Sequence, residues 1–225
     1  IGFDQYYQAQ QVGWVLYLEG STDLAILIEL ARKLNHPAAP LLEKPFVKYV
    51  FNQPQKARDH FYGLREAKKD LVGIAMFDRL NTSLQSSTWL IETMWSRREI
   101  ENYIITQNVL ERFAVSYGLL TGSNMPDLPE IERRKRAMTE SIEEISNALR
   151  VLDQPSPWST DIKVTDDFLD RLFPNFYSRL GIPNQLNKTD YHVLTTYLEA
   201  DEIDSGRRRS RKESFRIERE SGSSQ

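Results

Sequence analysis

The chain has 225 residues, 40% hydrophobic and 27% charged, with a formal net charge of −3; this fits a globular protein of one large domain and offers no global basic field to nucleic acid. It has no cysteine, which excludes disulfides and thiolate zinc sites, and His36, His60 and His192 are too far apart in sequence to form a local metal motif. No apolar run approaches the roughly 18 residues of a membrane span and no signal-peptide pattern opens the chain, so a cytoplasmic protein with no membrane partner is expected.

Residues 1–11, rich in Gln and Tyr, read as a linker or packing segment. Residues 13–18 form an apolar strand that delivers Glu19 to its C-terminal end. Gly20 is expected to permit a tight turn, Ser21 or Thr22 to cap a helix, and Asp23 to lie in that helix's first turn. Two acids so placed can share a divalent cation at the mouth of a parallel sheet, although an ordinary strand–turn–helix reads the same way. The helix over 24–34 is apolar on most sides, through Leu24, Leu27, Ile28, Ala31 and Leu34. A strand over 46–51 and a helix over 55–69 follow, the latter burying Ala57, Phe61, Leu64 and Ala67.

Residues 71–77 are almost unbroken in their apolar character, as befits a strand buried on both faces, and they end in Asp78. A fourth strand over 89–94 leads into Arg97-Arg98-Glu99-Ile100-Glu101-Asn102-Tyr103. The alternation predicts an α/β fold: a mostly parallel sheet of about four strands, flanked by helices, with its strand ends on one edge. From Arg98 the pattern turns helical. On a helix Glu99 and Glu101 would point about 200° apart, so that only one, Glu101 by the resemblance given below, faces the strand ends and the other is solvated or paired with an arginine, unless this first turn is not yet helical.

Beyond Arg112 the chain reads as a helical extension, with a loop over 121–126 and helices over 131–152, 168–180 and 191–200. The run Glu132-Arg133-Arg134-Lys135-Arg136 is either a solvated helix face or a phosphate contact. The tail over 205–225 is basic, then Ser/Gly-rich, and has little to bury. The expected organisation is therefore a packing segment over 1–11, an α/β domain over 12–118, a helical extension over 119–204 and a tail over 205–225.

Glu19-Gly20-Ser21-Thr22-Asp23 after one strand, Asp78 after another, and Arg98-Glu99-Ile100-Glu101-Asn102-Tyr103 together resemble the toprim domain of the overcoming-lysogenization-defect (OLD) family nucleases. The resemblance covers residues 12–103 and returns at Asn187-Lys188-Thr189-Asp190-Tyr191-His192. It implies a DNA endonuclease, nickase-like, that uses Mg²⁺ or Mn²⁺ and serves in defence against phage. It implies Glu19, Asp23, Asp78 and Glu101 as metal ligands, and Glu19, Asp78 and Lys188 as catalytic residues. It also implies an ATPase domain or subunit as partner, upstream in the same polypeptide, and an oligomeric full-length form; the chain itself contains no Gly-x4-Gly-Lys-Ser/Thr loop. One departure stands out. The family's second element is Asp-x-Asp, and here Leu80 replaces the second acid, leaving Asn81, Thr82 or Ser83 to offer a neutral oxygen. That substitution predicts a weakened metal position, and it opens the alternative of a non-catalytic docking or regulatory module for an ATPase partner.

Overall fold

The computed structural model describes residues 1–116 and 128–203. Four short strands, β1 (Trp14–Leu18), β2 (Val47–Tyr49), β3 (Val72–Phe77) and β4 (Leu90–Met94), form one sheet in the order β2-β1-β3-β4, with every neighbouring pair parallel. Tyr17 pairs with Lys48 on one side and Ala75 on the other. That register brings the residues that follow β1, β2 and β3 to the same end of the sheet.

Helices cover the sheet unequally. On one face lie α1 (Phe3–Val12) and α3 (Pro54–Arg65), the latter opened by a proline in its first turn, where no N–H is needed. Ala57, Phe61 and Leu64 of α3 are fully buried against Val15, Tyr17, Ala75 and Phe77. Gly73 permits this approach: a Cβ there would lie 2.9 Å from the Phe61 ring and 3.0 Å from Leu90. The N-terminal segment is thus a helix, anchored by Ala9 on this face.

On the other face, α2 (Ser21–Lys33) packs over β1 and β2 through Ala31, with Leu16, Leu18 and Leu42. The β3–β4 connection contains no helix. Val72, Ile74, Trp89 and Ile91 are therefore 39–54% exposed and line a groove of about 920 Å³ together with α2, Trp14 and Trp95. The outer edge of β4 is closed by its own preceding loop. The Ser86 hydroxyl donates to the Glu92 carbonyl and accepts the Glu92 N–H, both at 2.9 Å, while the Ser87 N–H donates to the Leu90 carbonyl at 2.8 Å.

After β4 the chain is helical, as expected: a 3-10 turn (Ile100–Tyr103), α4 (Gln107–Ser116), α5 (Leu128–Val151), a π turn (Thr165–Leu169), α6 (Asp170–Arg179) and a 3-10 stretch (Lys188–Tyr197). They enclose a core that includes Phe113, Phe173, Phe176 and Tyr191 and reaches α2 through Ile26. The expected helix over 191–200 is thus a 3-10 stretch that starts earlier. The loop expected over 121–126 and the tail over 205–225 lie outside the described residues. Among the described residues, no helix is long and apolar enough to cross a membrane.

Candidate functional site

β1 carries Glu19 to the end of the sheet. Gly20, the N-cap of α2, has φ −147°, an extended conformation open to any residue, and no side-chain cap forms there; the turn does not depend on its glycine. Asp23 folds back instead, its Oδ2 accepting the Glu19 N–H at 3.2 Å. Burial first, and then the Glu19 charge, push Asp23 up to about 6.

Asp78 follows β3. Its carboxyl lies close enough to Glu19 to share a proton. Burial, that shared bond and the Glu19 charge hold it well above the carboxylate range. Between the two acids stands Asn52, from the turn after β2. Its Nδ2 donates to Glu19 Oε2 at 2.7 Å and to Asp78 Oδ2 at 3.2 Å, and its Oδ1 accepts the Asp78 N–H at 2.9 Å. Phe51 and Asn52 both have left-handed backbones, with φ of 50° and 55°.

Glu99 and Glu101 are both buried, at 3% and 8% exposure. The first turn is not α-helical, the case in which both can turn inward. Glu99 is the extended N-cap of a 3-10 turn rather than part of an α-helix, so helical spacing does not separate the two. Nor does Glu99 meet an arginine: its Oε1 accepts the Thr165 N–H at 2.6 Å. Burial raises its pKa, opposed by the Thr165 bonds and by Lys163. Burial and then the charges of Glu99, Asp23 and Glu19 push Glu101 up to about 8. Residues 160–165 are stitched to this cluster, because the Arg98 N–H donates to the Thr160 carbonyl at 2.9 Å and Asn102 Nδ2 to the Ile162 carbonyl at 3.2 Å.

Lys188 stands one ion pair away. It pairs with Asp166, which also binds Lys163 at 2.7 Å. Lys163 feels the charges of Glu99 and Glu19, whereas the charges acting on Lys188 are those of Asp166, Asp170 and Lys163. Lys163 is thus the cation on the acid side of this chain, and sequence reading passed over it. It passed over Asn52 too, although Asn52 follows β2 much as Glu19 and Asp78 follow their strands, and asparagine is a residue that tolerates left-handed backbone. Leu80 packs against the apolar cluster beneath α1 and α3 and offers no oxygen to the acids.

The donors are all oxygens, which suits a hard divalent cation such as Mg²⁺ or Mn²⁺. As placed, no three Asp, Glu or His side chains among the described residues converge tightly enough to hold an ion. Yet no lysine or arginine forms a salt bridge with Glu19, Asp23, Asp78, Glu99 or Glu101 among those residues. Five carboxyl groups crowd together without a partner of opposite charge in contact. No protein-family model matches the chain, and searches of curated proteins and of solved structures likewise find no match.

Proposed function

We propose that the protein is a divalent-metal-dependent DNA endonuclease domain of the toprim type, similar to those of the OLD family. The supporting observation is the gathering of Glu19, Asp23, Asp78, Glu99 and Glu101 at the C-terminal ends of parallel strands without a salt-bridging cation. A bound Mg²⁺ or Mn²⁺ would supply Lewis acidity and lower the pKa of a bound water. Glu19 and Asp78 would hold it, with Asp23 and Glu101 as further oxygen donors. Each gives up any proton it carries when it becomes a ligand. Lys163 neutralises charge on the phosphate, with Asp166 and Lys188 behind it. DNA is the substrate in this reading. An ATPase domain or subunit, a cytoplasmic setting and a role in phage defence belong to it through the resemblance alone.

The test is nicking of supercoiled plasmid in Mn²⁺ by wild type, Glu19→Ala and Asp78→Ala. Cleavage is expected to fall at least about 100-fold in either variant, with circular dichroism unchanged. Full cleavage by either variant rejects the assignment. A second reading, a docking or regulatory module for an ATPase partner, is favoured by Leu80, which turns into the core where the family has an acid. Calorimetric titration with Mn²⁺ separates the two, since the module gives no binding heat.

A further inference from the structure

We infer that Asn52 is a positioning residue of the acid cluster, clamping Glu19 and Asp78 side by side before a cation arrives. The inference rests on the metal-dependent reading above and adds a residue that the resemblance does not supply. The backbone N–H of Asp78 can only donate, so the Asn52 atom facing it at 2.9 Å is the carbonyl Oδ1. That fixes the amide and aims its NH₂ at the acids, where two hydrogens serve two carboxylates at 2.7 and 3.2 Å. A lysine or arginine in this place would hold the acids equally well but would compete with an incoming cation by charge; an amide carries none to expel.

The backbone supports the assignment. Two successive non-glycine residues with positive φ are uncommon, and such strain persists where its surroundings over-determine it. Phe51 is 68% exposed, so its own burial does not compensate for that conformation. The turn is held by the Val50 N–H on the Leu18 carbonyl and the Gln53 N–H on the Val50 carbonyl, which tie it to the end of β1 beside Glu19. Its product is the placement of Asn52.

Two variants separate a clamp from a mere turn residue. Asn52→Gly keeps the left-handed freedom and removes the amide. Asn52→Asp keeps an acceptor for the Asp78 N–H and replaces the NH₂ with oxygen. In titration of metal-depleted protein with Mn²⁺, Asn52→Gly is expected to weaken binding about tenfold, as outer-shell partners do. Asn52→Asp is expected to melt below Asn52→Gly without metal and to regain the most on Mn²⁺ addition, because a third acid joins the repelling pair. Wild-type affinity in Asn52→Gly overturns the inference and leaves a loop-shape role. A metal-free cycle gives an independent reading: the drop in melting temperature caused by Asn52→Gly should shrink at least by half in a Glu19→Ala background. An equal drop in both backgrounds overturns the clamp. If wild type takes up no Mn²⁺, the metal reading fails, and this cycle alone decides whether Asn52 holds the two acids together.

Discussion

Two carboxylates from adjacent strands of one sheet, Glu92 buried and Asp78 half-buried, meet opposite fates. The Glu92 side chain, in β4, is 0% exposed, and Arg58 Nη1 contacts both its oxygens at 2.8 and 2.9 Å while the Gln85 N–H donates to Oε2 at 2.8 Å. Asp78, at the end of β3, meets a second acid and an uncharged amide. A buried charge needs a partner, and this protein provides one for Glu92. At the strand ends it provides none in contact. The first arrangement completes itself within the chain; the second has no such ion pair among the described residues, and the proposed metal site builds on that difference.

That contrast can be broken at either end. The largest effect is expected from Arg58→Ala, which leaves Glu92 buried and unpaired and should cost about 3–5 kcal/mol in chemical denaturation. Asp78→Asn should do the reverse, raising or leaving unchanged the metal-free melting temperature, because it relieves repulsion. Leu80→Asp is expected to cost about 1–3 kcal/mol, since it withdraws an apolar contact and places an unpaired charge beside the cluster under α1 and α3. Tighter Mn²⁺ binding by that variant would show that the position can still turn towards the acids.

The pH profile is next in size. Glu101 and Asp23, pushed up to about 8 and about 6, hold protons in the fold that the unfolded chain releases near pH 4. Their stabilisation is complete below that pH and is lost as pH rises through about 6 and then about 8, with Asp78 extending the loss upward. His60 works oppositely: burial lowers it to about 4, so its stabilisation is present above pH 6.5 and is lost as pH falls through about 4. Melts across pH 4–9 without metal should therefore fall as pH rises from the acid end, because His60 gains its stabilisation over the same interval in which the three raised carboxyls lose theirs, and they outnumber it. Saturating Mn²⁺ should flatten the alkaline limb, because ligands are deprotonated when bound. The smallest effect is expected from Lys188→Ala. Its side chain is 57% exposed, and plasmid nicking should change less than about threefold, against about tenfold for Lys163→Ala.

The sheet was legible chiefly through β1 and β3, which are nearly unbroken apolar runs, but β3 is covered on one face only: Val72 and Ile74 line the open groove, so the expected burial on both faces does not hold there, and β2 and β4 carry Lys48, Glu92 and Thr93 within their stretches. Glu19 and Asp78 came with it, since each follows such a run directly. The helix α1 was hidden: Phe3 and Tyr7 are exposed and only Ala9 is buried, so no apolar stripe announces it. The pairing of Glu99 was not legible, because its partner is the Thr165 N–H, far along the chain, and not an arginine. Asn52 and Lys163 escaped for a different reason. Asn52 sits 26 residues from Asp78, and Lys163 comes under the charge of Glu99 and Glu19, without an ion pair to either, where Thr160, Ile162 and Thr165 hydrogen-bond to Arg98, Asn102 and Glu99. Neither placement has a local signature; both exist only once the chain is closed.

The serines along β4 bear on how copies of this protein behave when crowded. An open strand edge is a template on which another chain can add rung by rung. Here Ser86 and Ser87 already occupy the outward backbone groups of Leu90 and Glu92, and at the far side β2 is only three residues long. A fifth strand would have to evict the serines or stand on a ladder too short to hold it. The sheet is therefore closed to polymer growth at both margins, and a solution of the protein should resist edge-seeded fibre formation while Ser86 remains in place.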